Sequence, residues 1–375
     1  MERSQQRNSG LIIRAVRIWS GLILLVFVTS HLLNLSLGLI SIEAMDAARP
    51  YLSGIWASPV LGPLLLVSLV SHFVLGLWTI YRRPTLRTGT QDLLQLFAGV
   101  MVVPLLATHA VGVAAMKINE LPFGYEAAIQ FFWLGQPTLG LLQVVMLSVV
   151  WVHGCAGLFI WLRSKESMRN MLGWIYPLAV AVPLLALFGF AEAGRSVLME
   201  AQTAQAPAPQ SPMPAEMKVP FETVKSITKQ IIWWSIGLAL LTFALRGLRI
   251  KLEPNQSVSL RRGDAAPIAT TSKLSVLDSF KENDQPHAGL CAGRGRCGTC
   301  AVRVVLSEFP LPEPTALETK TLRRIGAGQD TRLACQLMPV GGLLELEPIF
   351  PADYSFKDED FAKEEPAADQ SEARA

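Results

Sequence analysis

The sequence predicts a membrane all-α helical bundle of about six transmembrane helices followed by a small C-terminal α+β domain. Three observations predict it. Hydrophobic residues make up 51% of the 375, and they crowd into blocks before residue 250 that suffice to cross ~30 Å of hydrocarbon at about 1.5 Å per residue. Lys and Arg gather between alternate blocks. Beyond residue 255 the pattern changes to short alternating segments that carry four of the five cysteines.

The expected spans are 18–40, 58–80, 93–116, 138–162, 171–191 and 231–245. The sixth is short, but Trp233 and Trp234 suit an interfacial aromatic belt and the charge pattern requires an even number of spans. Residues 1–17 are polar and basic, and no small-residue cleavage site follows the first block, so that block is expected to stay as a helix. The expected layout is a cytoplasmic N-terminus at 1–17, five membrane helices over 18–191, an outer-face Pro/Ala-rich loop at 192–230 and the sixth helix at 231–250. A folded domain at 255–350 and a disordered acidic tail at 351–375 complete it.

Arg3, Arg7, Arg14 and Arg17 precede the first span, Arg82, Arg83 and Arg87 follow the second, Arg163, Lys165 and Arg169 follow the fourth, and Arg246, Arg249 and Lys251 follow the sixth. The other loops, 43–50 and 117–130, are poor in both residue types. By the positive-inside rule both termini and the C-terminal domain face the cytoplasm, as expected for a multi-pass protein of a bacterial-type inner membrane in contact with lipid. A net charge of +3 is too small to suggest nucleic acid, and no nucleic-acid partner is expected.

Within the C-terminal domain the expected elements are a helix at 276–281, a strand at 301–305, a helix at 316–325 and a strand at 343–346. Cys291, Cys297 and Cys300 lie in the stretch CAGRGRCGTC, and Cys335 follows in RLACQ. Three thiols from one loop and one from afar is the asymmetry of a 2Fe–2S site, and Gly293, Gly295 and Gly298 let the loop wrap with its N–H groups toward sulfur. A zinc site would show two separated Cys or His pairs, and disulfides are rare in the cytoplasm. Cys155, inside the fourth span, reads as a small packing residue.

These residues carry a resemblance. Residues 255–350 resemble a ferredoxin domain, which implies a β-grasp fold and one 2Fe–2S cluster on Cys291, Cys297, Cys300 and Cys335. The five residues between the first two cysteines are similar to the adrenodoxin-type loop and to the ferredoxin modules of some bacterial adenylate cyclases; the plant type has four.

Four of the five histidines fall one per span: His31, His72, His109 and His153. Polar groups at membrane depth are costly and tend to be functional, although a lone histidine also serves as an interhelical hydrogen bond. With a cytoplasmic N-terminus, His31 and His109 share a layer near the outer face, and His72 and His153 one near the inner face. Each layer lies roughly 10 to 14 Å from its own face. Two pairs at matched depth are what two bis-histidine haems need. Gly76, Gly112 and Gly157 lie three or four residues beyond a histidine, where they leave room for a macrocycle or serve close helix packing. A transition-metal path would add intramembrane carboxylates, which the first four spans lack. Beyond one histidine per span, no repeat is apparent.

This histidine placement resembles the dihaem cytochrome b anchor of succinate dehydrogenase and fumarate reductase. It implies two b-type haems that exchange electrons with quinone. Similar anchors join a ferredoxin domain in bacterial class III adenylate cyclases, where a cyclase domain follows. No cyclase catalytic domain is expected here, because about 25 residues follow the ferredoxin-like stretch.

The function expected is electron transfer between quinone and the cytoplasmic cluster through two haems. One rival is a redox sensor that reports quinone state to a separate effector such as an adenylate cyclase; another is a haem-free, membrane-anchored ferredoxin. The expected partners are quinone and a soluble redox or effector protein at the cytoplasmic face. Arg14, Arg17, Arg82 and Arg163 read as topology signals or as partners of haem propionates, and His287 as an exposed loop histidine or a hydrogen-bond donor to the cluster.

Overall fold

A computed structural model describes residues 2–121, 124–163, 168, 171–203 and 218–354. The chain divides into two compact units, one built mainly from the long helices up to Lys251 and the other mainly from Leu252 onward.

In the first unit, six helices are long and apolar enough to cross a membrane: α1 (Glu2–Ser36), α3 (Leu61–Arg82), α4 (Thr90–Ile118), α6 (Pro137–Leu162), α7 (Leu172–Thr203) and α8 (Phe221–Leu252). Two short helices, α2 (Ile42–Leu52) and α5 (Tyr125–Gln130), occupy connections between them. Apolar side chains face outward as well as inward. On α3, Leu66, Val70, Val74 and Trp78 follow one another at helical spacing and are all exposed, as a lipid-facing stripe is.

Both helix ends flanking the stretch read as loop reach into it. Helix α7 continues to Thr203 and α8 begins at Phe221, which leaves less of 192–230 as connection; residues 204–217 lie outside the described residues. The extra turns are polar, with Glu192 paired to Arg195 along α7 and Lys225 and Lys229 on α8, so hydropathy alone does not detect them. The C-terminal tail from residue 355 also lies outside the described residues.

Two packing devices hold the helices. Ideal Cβ atoms at Gly38 and Gly189 would stand 2.3 and 2.2 Å from the carbonyl oxygens of Gly189 and Leu35, so the end of α1 and α7 meet backbone to backbone. Pro183 on α7 has no N–H for the carbonyl of Ala179 one turn earlier. The indole N–H of Trp151 on α6 donates to that carbonyl at 2.7 Å, and the ring packs in a cluster with Leu32, Leu147, Val182 and Ala186.

The second unit is a five-stranded mixed sheet in the order β2-β1-β5-β3-β4, built from β1 (Ser257–Arg262), β2 (Ile268–Thr271), β3 (Ala301–Ser307), β4 (Thr331–Leu333) and β5 (Gly342–Pro348). Only β1 and β5 run parallel. Val258 and Leu260 on β1, Val302 on β3, and Leu344 and Leu346 on β5 turn inward at period two onto α9 (Val276–Glu282). There Val276, Leu277 and Phe280 complete a core that includes Cys300 and Cys335; each large apolar side chain so buried contributes roughly 1.5–3 kcal/mol.

The second helix of this unit, α10 (Ala316–Arg324), is capped by the Thr315 hydroxyl, which accepts from the Glu318 N–H at 3.2 Å. Glu318 is fully buried. Its carboxylate accepts from Arg332 at 2.9 and 3.1 Å and from the Leu333 N–H at 2.9 Å, which fixes α10 to β4 just ahead of Cys335.

Candidate redox sites

The four membrane histidines meet two by two. His31 on α1 and His109 on α4 have ring centroids 6.0 Å apart; His72 on α3 and His153 on α6 have theirs 6.1 Å apart. Two metal–nitrogen bonds of about 2 Å, plus about 1.2 Å from each nitrogen to its ring centre, give roughly 6.4 Å for two imidazoles on opposite sides of one metal. The rings thus stand near the separation at which both imidazoles of a pair could hold one metal ion.

Hydrogen bonds orient three of these rings. The Nδ1 of His72 lies 3.1 Å from the Arg17 carbonyl and 3.2 Å from the Ser20 hydroxyl, that of His153 lies 2.9 Å from the Gln95 carbonyl, and that of His109 lies 3.0 Å from the Gln143 side-chain oxygen. A carbonyl oxygen only accepts, so each Nδ1 carries the proton and Nε2 keeps its lone pair for a metal. The fourth ring, His31, is stacked on Phe27 at 5.9 Å.

The glycines that touch these rings differ from those singled out by spacing. Gly76 and Gly112 have open space where a Cβ would project, and Gly157 faces Gln95. It is Gly21 and Gly99 that press on imidazoles: a Cβ would come within 2.8 Å of His72 and 2.7 Å of His153. Each lies four residues after the carbonyl that holds the same ring.

The signal for them was a repeat that extends beyond the one histidine per span expected from the sequence. GLILLVFVTSH at 21–31 and GVMVVPLLATH at 99–109 share their first Gly and last His with mostly apolar residues between, and HFVLGLW at 72–78 and HGCAGLF at 153–159 share a His, a Gly and a Leu. Helices α1 and α3 form one copy, α4 and α6 the other. Within each copy the first helix braces the second helix's histidine; between copies, equivalent histidines face one another.

In the second unit the loop 291–300 brings Cys291, Cys297 and Cys300 beside Cys335, which follows β4. All four are buried. Ala292, Gly293, Gly295 and Gly298 have positive φ, and a Cβ at Gly298 would meet Ile325 at 2.8 Å, so the loop closes tightly on α10. Thr321 donates to the Gly295 carbonyl at 2.7 Å, and Arg324 donates to the carbonyls of Arg296 and Cys297 at 2.7 and 2.8 Å.

The thiols also gather in twos. Cys300 and Cys335 have their sulfurs 3.3 Å apart, and Cys291 is hydrogen-bonded to Cys297. The Cys297 hydrogen bond, aided by the N–H groups of Arg296, Cys297 and Arg294, holds the Cys291 thiol well below its ordinary range. Cys297 and Cys300 are pushed up by the hydrogen bonds to their partners and by burial. A binuclear cluster takes two thiolates per iron, and two pairs of sulfur with no other ligand type fit it. Among the described residues no three metal-binding groups converge on one ion, in keeping with this pairwise arrangement of thiols and imidazoles.

His287 is not an exposed loop residue. Its ring lies on Phe280 at 5.1 Å with both nitrogens out of solvent, and burial, with the Arg262 charge adding to it, lowers its pKa to about 4 against the opposing effect of the Cys300 backbone. Cys155 packs against the cluster of Leu32 and Trp151, remote in the sequence from the other cysteines.

Residues 267–340, which contain all four cysteines of this site, match the family described as 2Fe-2S iron-sulfur cluster binding domain. The chain is similar to adrenodoxin-like protein 1, mitochondrial, of Arabidopsis thaliana, at 34% identity over 79 residues, 20% of this chain and 40% of that protein. It is also similar to ferredoxin-1 of Aquifex aeolicus (strain VF5), at 47% identity over 45 residues, 12% of this chain and 47% of the relative. The matched part spans less than half the length of either relative. No solved structure matches. The second unit is thus a ferredoxin domain with a 2Fe–2S cluster, whose chemistry is electron transfer, in a chain with six helices suited to a multi-pass membrane protein.

Proposed function

We propose that the protein passes electrons between a membrane quinone and the 2Fe–2S cluster through two b-type haems, one held by His31 and His109 and the other by His72 and His153. The observation that carries this reading is the facing of corresponding histidines, at 6.0 and 6.1 Å, in a bundle of largely apolar helices. The haems would supply one-electron carriers at two depths. The chain's own part is to orient the ligands through Arg17, Gln95 and Gln143 and to keep water away from them.

Cys291 and Cys297 would hold one iron of the cluster, Cys300 and Cys335 the other, in accord with the sulfur pairing. By the positive-inside rule the Lys- and Arg-rich loops favour a ferredoxin domain and both termini on the cytoplasmic side of a bacterial-type inner membrane. A soluble redox protein would exchange electrons with the cluster there.

The test is a dithionite-minus-air difference spectrum of the detergent-purified protein, with pyridine haemochrome and iron counts, for the wild type, His31→Ala and His72→Ala. Two b-type haems per chain, one lost in each variant, support the reading. Iron for one 2Fe–2S cluster with no b-type bands overturns it and leaves a membrane-anchored ferredoxin.

A further inference from the structure

The loop and the helix that enclose the cysteines are mostly basic. The loop 291–300 and helix α10 contribute Arg294, Arg296, Lys320, Arg323 and Arg324, against one carboxylate, Glu318. That carboxylate is buried and committed to Arg332, so it does not offset the cations at the surface. Lys320, Arg323 and Arg324 are exposed, and Arg294 and Arg296 are half-buried.

A plainer account exists for part of this. Cations in the last turn of a helix stabilise its dipole, and Arg323 and Arg324 lie in the last turn of α10. That account covers neither Arg294 nor Arg296, which belong to no helix. Nor does it cover Arg324's donation to the carbonyls of Arg296 and Cys297, which brings the end of α10 to the loop that encloses the cysteines.

We propose that the cluster loop and α10 form a basic docking face through which the cluster exchanges single electrons with an acidic redox protein. The inference rests on the ferredoxin domain and not on the haems. In the reaction the reduced cluster gives up one electron, the acidic partner's one-electron centre gains it, and no bond or proton changes hands. Electron transfer needs close approach, and the loop that bears Arg294 and Arg296 is what separates three of the cysteines from the surface. A carboxylate-rich partner is drawn to that face and held in register, with an encounter rate that falls as salt screens charges beyond about 8–10 Å. An anionic lipid surface presents similar charge but accepts no electron, and the exposed side of α10 offers it charged rather than apolar side chains.

The experiment uses the full-length protein in nonionic detergent, reduced with dithionite and freed of excess. It is mixed rapidly with an acidic blue-copper protein or a basic cytochrome c, and loss of the reduced-cluster EPR signal is followed at low and high salt. The expected result is faster oxidation by the acidic acceptor, slowed about tenfold or more by salt. Lys320→Glu with Arg323→Glu, at unchanged iron and sulfide content, sharply reduces the preference and its salt dependence, and the milder Lys320→Gln with Arg323→Gln reduces both by less. Equal rates with both acceptors, or charge reversal without effect, overturn the proposal. Vesicles that contain an anionic phospholipid provide the remaining arm: suppression of the acidic acceptor's rate relative to phosphatidylcholine vesicles shows that lipid occupies the face and also overturns it.

Discussion

Gly21 lies so close to the imidazole of His72 that one added carbon would stand 2.8 Å from its Cε1, and Gly99 stands in the same relation to His153 at 2.7 Å. Neither helix can back away without also moving the carbonyl, Arg17 or Gln95, that holds the ring. Overpacking of this kind costs about 1–3 kcal/mol and displaces the group it touches. Gly21→Ala and Gly99→Ala are therefore each expected to perturb the His72 and His153 pair and leave the His31 and His109 pair intact. Spectra of the two variants check this: loss of one haem signal is expected, with His31→Ala complementary to it. No change in either variant would count against the brace.

Trp151 supplies the donor that Pro183 denies to the Ala179 carbonyl. Trp151→Phe keeps an aromatic ring and removes the N–H, so the carbonyl loses its partner at a cost of about 1–3 kcal/mol. Thermal unfolding in detergent should shift downward. Pro183→Ala restores a backbone N–H one turn from Ala179, so adding it to Trp151→Phe should recover much of the loss.

Glu318 and Arg332 form a buried pair whose separation leaves a charge without compensation. Glu318→Ala is expected to destabilise the ferredoxin domain by about 3–5 kcal/mol. The temperature at which the cluster's visible absorption bleaches reports it. Glu318→Gln, which keeps an acceptor oxygen for Leu333, should fall between the two.

The five cysteines divide sharply by setting. Cys335→Ser removes one of four sulfurs in the core of the second unit and is expected to abolish or severely deplete the cluster, as iron and labile sulfide per chain will show. Cys155→Ser exchanges a thiol in the helical unit for a hydroxyl and should leave both counts at the wild-type value.

The spans and the cysteine loop were readable in the sequence because each depends on a strong local signal: a long apolar run in one case, thiols at fixed spacing in the other. The strand β1 was missed, since SVSLRR alternates only Val258 and Leu260 with polar residues, too short a run to stand out. Strands β2 and β4, of four and three residues, show less still and owe their state to pairing with β1 and β3. Gly21 and Gly99 were missed for another reason. A glycine's neighbour across a helix interface is not encoded in its own surroundings, and in the repeat that reveals it most positions between glycine and histidine exchange one apolar residue for another. The partner of Trp151 was hidden likewise, although Pro183 already announced that a carbonyl one turn earlier would need a donor.

Cys300 and Cys335 sit among Leu333, Val302 and Leu337 as members of the domain's hydrophobic core rather than as a fitting on its surface. This gives the protein's biosynthesis an order. The membrane helices leave the ribosome first, and the last cluster cysteine emerges more than 80 residues after α8 ends. The set of four thiols is therefore complete only after the apolar helices have been made, and with Cys300 and Cys335 in the core the cluster is part of what the domain folds around.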